Sequence, residues 1–150
     1  MSMNISCKGI ATLPTVMLLG IITLTIAVSL ATVSFSESFI SQSGAQSSKA
    51  LFYAEAGARD ALIRVARNKN YTCTATDCYE IPFVSGGCGG ALSGCARISI
   101  SAGVGTVGDP KIITSKGLMQ SSVRIINVSV VLDASAHGEI ATTTWSENTN

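Results

Sequence analysis

The sequence is poor in the residue types on which most enzyme active sites depend. It contains a single histidine, and charged residues make up only 13% of its 150 positions. Aromatic residues account for 5%, and the formal net charge is +1. One histidine offers little for acid–base chemistry or a histidine metal site, and the small net charge argues against a general nucleic-acid binder. The composition therefore favours a structural or membrane-linked protein over an enzyme.

Hydrophobic residues nevertheless reach 47%, too many for a disordered chain, and they are concentrated near the N-terminus. No charged residue occurs from Gly9 to Ser36. As a helix this run would be about 42 Å long, which exceeds the roughly 30 Å hydrocarbon core of a bilayer. Lys8 is the only charge before the run, and it orients the N-terminus toward the cytoplasm. The run is predicted to span a membrane, with the rest of the chain exported.

Two alternatives for this run stay open at the level of sequence. It could be a helix buried inside a soluble protein, although few residues remain to enclose it. Within it, a weakly polar stripe repeats at helical spacing: Thr25, Ser29, Thr32 and Ser36. Such hydroxyls are either simply tolerated, bonded to carbonyls of their own helix, or they face neighbouring helices.

The helical pattern continues beyond the apolar run. Apolar residues three or four positions apart share one face of a helix. Here they are Leu51, Ala54, Ala58, Leu62 and Val65. Acidic residues also precede basic ones by four positions, the order that favours helical ion pairs, at Glu55–Arg59 and Asp60–Arg64. One helix is therefore predicted from about Leu13 to Arg67.

Beyond position 70 the pattern changes to that of a loop followed by strands. The segment Tyr71–Ala96 is rich in cysteine and glycine and is interpreted as a loop. Short runs with alternating apolar residues then predict strands. They are Arg97–Ala102, Lys111–Ser115, Ser122–Leu132 and Glu139–Trp145. Turns are expected at Lys116-Gly117 and Ala136-His137-Gly138. Within Ser122–Leu132 the apolar residues change from odd-numbered to even-numbered positions near Ile126–Val128. This change indicates a bulge or a strand that is covered on both faces.

The expected fold class is α+β. A long N-terminal helical spine, transmembrane and then amphipathic, would pack on a small antiparallel β-sheet of three to four strands. No catalytic, cofactor-binding or metal site is predicted. His137 fits a solvated turn, and the cluster Gly86–Gly90 lacks the Gly-Lys-Ser/Thr ending of a phosphate-binding loop. The basic residues from Arg59 to Lys69 fit a solvated helix face, and contact with DNA or anionic lipid stays open.

Four of the five cysteines lie in the exported part of the chain. They are Cys73, Cys78, Cys88 and Cys95. An even number of cysteines in an exported segment favours disulfides over free thiols. Three pairings are possible, and the simplest joins Cys73 to Cys78 and Cys88 to Cys95. Zinc is the competing interpretation, since four thiolates bind it, but the spacing contains no Cys-x-x-Cys unit.

Two motifs carry a resemblance to a known family. Lys8-Gly9, followed at once by an apolar helix that begins Ile10-Ala11-Thr12-Leu13, resembles the class III signal of type IV prepilins. The segment from Ser48 to Leu62, S-K-A-L-F-Y-A-E-A-G-A-R-D-A-L, resembles the A-F-Y-A-A-E-A-G-x-x-x-A-L stretch of PilX-like minor pilins and pseudopilins. The motif positions are Phe52, Tyr53, Glu55, Ala56, Gly57 and Leu62. The resemblance covers roughly residues 8–67.

The resemblance implies a structural filament subunit rather than an enzyme. It implies cleavage after Gly9 by a prepilin peptidase and N-methylation of Ile10. It also implies assembly by a platform protein and an ATPase, with pilin subunits packed through their N-terminal helices. The chain would first be a single-pass protein of the cytoplasmic membrane, with its N-terminus in the cytoplasm. It would then become part of an extracellular filament on the cell surface.

Four segments follow from these expectations: a leader at 1–9, a transmembrane and polymerisation half of the helix at 10–36, an amphipathic half at 37–70 and a disulfide-bearing globular β region at 71–150.

One residue departs from the family pattern. Pro14 stands at the fifth mature position, where major pilins carry a glutamate. Some minor and tip subunits also lack it, so the resemblance favours a minor pilin or pseudopilin. The main filament pilin and an uncleaved, membrane-anchored domain that binds a ligand are the alternatives.

Overall fold

The computed structural model describes residues 12–90, 93–134 and 139–148. One helix, α1, spans Thr12–Arg67 and so confirms the single long helix predicted from the sequence. The chain divides into two compact units, Met1–Gln42 and Ser43–Asn150, and the boundary between them falls within α1. Gly9 and Ile10, the predicted cleavage and methylation positions, lie outside the described residues.

Five antiparallel strands follow the helix in the part of the chain that the structure describes. They are β1 Tyr79–Pro82, β2 Gly94–Ile100, β3 Lys111–Met119, β4 Ser122–Leu132 and β5 Ile140–Asn148. Their order in the sheet is their order in the chain, so each strand pairs with the next. The predicted α+β fold is confirmed, but the sheet has five strands rather than three to four.

The additional strand, β1, lies inside Tyr71–Ala96, the segment interpreted as a loop. It pairs with β2 from Tyr79↔Ile98 to Pro82↔Cys95, and β2 itself begins at Gly94. A further bridge joins Cys73 to Ile100. The loop assignment is wrong for this stretch because β1 is only four residues long. Too short to show an alternating pattern, it depends on pairing with a strand that is distant in sequence.

The turn predicted at Lys116-Gly117 is also wrong. Both residues lie within β3 and pair with β4, Lys116 with Ile125 and Gly117 with Arg124. The actual turn is Gln120-Ser121, where Gln120 has a φ of 53°. The turn predicted at Ala136-His137-Gly138 lies outside the described residues.

Gly117 is required by the approach of the helix to the sheet rather than by a turn. A β-carbon on this residue would overlap the carbonyl oxygen of Ala50 and would lie 2.5 Å from the amide nitrogen of Ala54. Backbone atoms of α1 therefore occupy the space that any larger residue would need. The helix crosses β3 at this point with backbone almost against backbone.

Strand β4 is regular where the parity change was noted. Its register with β3 is unbroken, and the irregularity in its pairing with β5 falls later, between Val131 and Leu132. Ile126 and Val128 are buried, whereas Val123 on the opposite face is 52% exposed. The bulge predicted near Ile126–Val128 is wrong, and the outward face is not covered as the inner face is, because Val123 is exposed and Ile125 and Val131 are only partly buried.

The core lies between α1 and the inner face of the sheet. From the helix it contains small residues: Ala50, Ala54, Ala58, Ala61 and Val65. From the sheet it contains branched residues: Ile98, Ile100, Ile113, Ile126, Val128 and Val130. Leu51 and Leu62, predicted to belong to the buried stripe, are partly buried at its margin. Because the buried helix face is mostly alanine, the helix can lie unusually close to the strands.

Candidate functional site: the exposed and docked halves of the helix

The N-terminal half of α1 presents a continuous apolar surface. Every side chain from position 13 to position 45 is exposed, and the large apolar ones range from 45% for Ile22 to 72% for Ile40. In the part of the chain described, α1 is the one helix that is long and apolar enough to cross a bilayer. A helix buried inside a soluble fold is therefore the wrong interpretation of these residues. Such a surface is stable only in lipid or against other apolar protein surfaces.

The hydroxyls of this segment are satisfied by the helix itself. Thr25 donates to the carbonyl of Ile22 at 2.8 Å, and Ser29 donates to that of Thr25 at 2.8 Å. Thr32 and Ser36 make the same kind of bond, at 2.8 and 2.7 Å. The stripe therefore carries no unmet polar group into an apolar environment. Its contact with neighbouring helices stays a prediction.

Three of the motif residues face the sheet. A β-carbon on Gly57 would lie 2.5 Å from the Ser115 hydroxyl oxygen and 2.8 Å from the β-carbon of Ala96, so this position also marks a close crossing. The ring of Tyr53 stacks on Phe83 with centroids 4.5 Å apart and planes 8° from parallel. Leu62 packs at the margin of the core. This part of the motif attaches the helix to the sheet domain.

The other motif residues face away from the core. Phe52 is 68% exposed, and Ala56 is partly exposed. Glu55 pairs with Arg59 at 3.4 Å, as the spacing predicts, but the arginine side chain is 70% exposed, so the pair contributes little stability. The motif is thus divided between docking residues and a helix face that remains uncovered.

Tyr79 joins β1 to the predicted ion pair of the helix. Arg64 Nε lies 2.7 Å from Asp60 Oδ2, and the same carboxylate oxygen accepts a hydrogen bond from the Tyr79 hydroxyl at 3.0 Å. The Arg64 guanidinium also lies 4.4 Å from the centroid of the Tyr79 ring. Burial raises the pKa of Tyr79 above its usual value, and the hydrogen bond to Asp60 raises it further. No local sequence pattern links Tyr79 to the helix, so sequence reasoning missed this contact.

We expect Tyr79→Phe to make the fold less sensitive to alkaline pH. Because its pKa is raised on folding, Tyr79 stays protonated in the folded chain above pH ~10, where the unfolded phenol ionises. Native stability therefore falls as pH rises beyond that point, by at most about 1 kcal/mol per pH unit at this half-buried site. The variant should be about 1 kcal/mol less stable at pH 7, through loss of the hydrogen bond.

Denaturant unfolding at pH 7 and pH 11 measures both effects. The difference between wild type and Tyr79→Phe should shrink or reverse at the higher pH. Tyr53→Phe is the matched control, because it removes a phenol hydroxyl elsewhere on the helix, keeps the ring that stacks on Phe83 and leaves the Asp60 contact intact. A difference between wild type and Tyr79→Phe that is the same at both pH values would contradict the assignment.

A second set of side-chain contacts, besides those of Tyr79, holds the start of the helix half that packs on the sheet, which we call the docked half. Arg124 on β4 donates from Nε and Nη2 to the Ser47 hydroxyl oxygen, at 2.8 and 2.6 Å, and its Nη1 pairs with Glu147 at 3.0 Å. The side chains of Gln46 and Gln120 are hydrogen-bonded to each other. The helix is therefore fixed to the sheet near both ends of its docked half.

Lys111 secures the chain as it leaves the helix. Its side chain is 1% exposed, and Nζ donates to the carbonyl oxygen of Tyr71 at 3.2 Å. Burial lowers the pKa of Lys111, and the charge of Asp109 partly opposes that effect. This lysine therefore serves the packing of the loop that follows α1.

Two disulfides close the cysteine-rich region. They join Cys73 to Cys78 and Cys88 to Cys95, which confirms the simplest of the three pairings. A zinc site built from these four residues is wrong because their sulfurs are bonded in pairs. Residues 12–90, 93–134 and 139–148 contain no group of three or more His, Cys, Asp or Glu side chains that could hold a metal ion.

The basic residues on the outer sheet face are paired with acids. Asp77 lies 3.1 Å from Lys116 and 3.6 Å from Arg97, and Glu80 lies 3.9 Å from the same arginine. This cluster is electrically balanced, so it provides no excess positive charge for a nucleic acid.

The chain matches no protein-family model, no curated protein and no solved structure. Its function must therefore be argued from its own motifs and geometry. One candidate membrane-spanning helix and two disulfides together fit a membrane-anchored, exported protein.

Proposed function

We propose that this chain is a structural subunit, a minor pilin or pseudopilin, of a type IV pilus or a related secretion or competence filament. The observation that carries the proposal is the uncovered apolar half of α1, which runs directly into a half docked on the sheet. A membrane anchor needs only the first half. Both motifs resemble those of prepilins. This resemblance is the reason for proposing that the apolar half also packs against other helices in a filament.

The exposed half-helix would serve first in the bilayer and then in the filament. In lipid its apolar side chains avoid water, and its hydroxyls are bonded to its own carbonyls. In a bundle of like helices the same side chains would again be shielded from water. Transfer from one environment to the other therefore need not expose them. The platform protein and ATPase implied by the resemblance would drive that transfer.

The docked half would connect the bundle to the exported domain. Gly57 and Gly117 allow α1 to touch the sheet, and Arg124 and Asp60 hold the two ends of the contact. A force applied along the helix would then reach the sheet through packed backbone and hydrogen bonds rather than through a loop. The two disulfides support this role because they close the segments around β1.

The decisive experiment is the intact mass of the chain recovered from sheared surface filaments. The expected result is loss of residues 1–9 and a single methyl group on the new N-terminal Ile10. Gly9→Leu should block both the processing and the recovery in filaments, whereas Ser6→Leu, which introduces the same residue at another position of the leader, should leave them unchanged. A full-length chain that stays in the membrane fraction would instead establish the uncleaved anchor.

A further inference from the structure

The loop between β2 and β3, residues 101–110, holds two valines in water. Val104 is 71% exposed and Val107 is 87% exposed. The loop is fixed by bonds within itself: the Val104 amide donates to Asp109 Oδ2 at 3.0 Å, and the Gly105 amide donates to the Asp109 carbonyl oxygen at 2.9 Å. Because these bonds define the course of the loop, the exposure of the two valines belongs to its folded shape.

The same loop is attached to the end of β4. The Leu132 amide donates to the Gly105 carbonyl oxygen at 2.8 Å. Gly105 has a φ of 86°, and a β-carbon on it would lie 2.8 Å from Leu132 Cδ1, so the loop backbone packs closely on this side chain. A cleft of about 360 Å³ lies beside this contact. That volume is within the range of small-ligand sites, about 300 to 1,000 Å³, and near its lower end.

The lining of this cleft, which we call the β4 cleft, combines an apolar surface with one charge of each sign. Its lining includes Val104, Val107, Val131, Leu132, Lys69 and Asp133. Within residues 12–90, 93–134 and 139–148, neither of the two charged side chains forms an ion pair. Lys69 and Asp133 therefore present unpaired, opposite charges beside apolar walls.

This combination is complementary to a small zwitterion that carries an apolar side chain. A lysine ammonium binds a carboxylate and an aspartate carboxylate binds an ammonium, and such charge-assisted hydrogen bonds are stronger than neutral ones. A simple anion, a simple cation or an uncharged apolar molecule would leave at least one of the two protein charges unmatched. The valine and leucine side chains favour an aliphatic group on the ligand.

We propose that the β4 cleft binds a free α-amino acid with a branched apolar side chain, such as leucine. The ligand carboxylate pairs with Lys69, its ammonium pairs with Asp133, and its side chain packs against Val131 and Leu132. Binding requires neither leader cleavage nor filament assembly, so its failure would leave the proposed filament function intact.

Titration of L-leucine into the nitrogen-labelled full chain in detergent micelles tests the proposal by NMR. We expect saturable shifts of the Gly105 and Asp133 amide signals. Isocaproate lacks the ammonium group and leucinamide lacks the carboxylate, so each should bind at least about tenfold more weakly than leucine. The absence of saturable shifts with leucine, or equal affinity for either analogue, would overturn the proposal.

Charge-removing variants test the two contacts from the side of the protein. Lys69→Met and Asp133→Asn should each weaken leucine binding about tenfold, because each removes one charge-assisted contact. Lys49→Met is the matched control, since it makes the same change at an exposed lysine of α1 that does not line the cleft. The spectrum without ligand shows whether each variant is folded. If a folded Lys69→Met or Asp133→Asn chain binds leucine as tightly as the control does, the zwitterion site is wrong.

Discussion

Gly117→Ala is expected to lower the free energy of unfolding of the sheet domain by more than about 3 kcal/mol. The added methyl group would overlap the carbonyl oxygen of Ala50 and would approach the amide nitrogen of Ala54 to 2.5 Å. Helix backbone cannot move aside as a flexible side chain can. The local preference points the other way, since alanine is normally better than glycine within a strand. A decrease in the free energy of unfolding would therefore report the contact with the helix, because the strand preference alone would give an increase.

Gly44→Ala is the matched control, because no atom lies within 4 Å of a β-carbon at that helical position. It should stabilise by up to about 1 kcal/mol through helix propensity. Denaturant unfolding of the full chain in detergent, followed by the fluorescence of its single tryptophan, measures both variants. If the two alanine variants shift the midpoint in the same direction, α1 does not lie against β3 as described.

Leu24→Arg is expected to remove the chain from surface filaments while leaving it in the membrane. Leu24 is near the middle of the apolar half-helix and is 66% exposed. An arginine at the centre of a span costs about 2.5 to 3.5 kcal/mol on insertion, which the long remaining apolar run can absorb. In a bundle of apolar helices the same charge would be buried without a partner, at a cost of about 3 to 5 kcal/mol.

Comparing the membrane content of each variant with its yield in filaments separates membrane anchoring from filament assembly. Membrane flotation and the yield of the chain in sheared filaments are measured for wild type, Leu24→Arg and the apolar control Leu24→Ile. The control should behave as wild type in both assays. A Leu24→Arg chain that enters filaments at the wild-type level would contradict packing through this helix. Its absence from filaments, with normal membrane content, would support that packing.

Periodicity and charge were sufficient to predict the helix. The charge-free run from Gly9 to Ser36 and acid–base pairs four residues apart, such as Asp60–Arg64, indicate a helix directly. Both signals depend only on residues that are close together in the chain. The same is true of the disulfides, where short spacing in Cys73–Cys78 limits the plausible partners. These features could be predicted because each is determined by neighbours in the chain.

The contacts that attach the helix could not be predicted in this way. Gly117 fits a turn signal and lies in a strand, and Tyr79 lies in a segment that has the composition of a loop. The motif suggested that Gly57 matters but not that Ser115 and Ala96 lie against it. Each of these roles depends on a partner many residues away, and periodicity carries no information about such partners.

The sequence by itself determined that this chain has a long helix with an apolar first half, an amphipathic second half and a strand-forming, disulfide-bonded remainder. Those properties arise from hydrophobic run length, from the 3.6-residue period and from cysteine spacing, all of which are local. Only the tertiary structure decided which helix face meets the sheet, that Gly117 serves this contact and that Lys69 and Asp133 line one cleft. The reason is that close packing and strand pairing are set by the mutual exclusion of atoms from distant segments, which no single segment specifies.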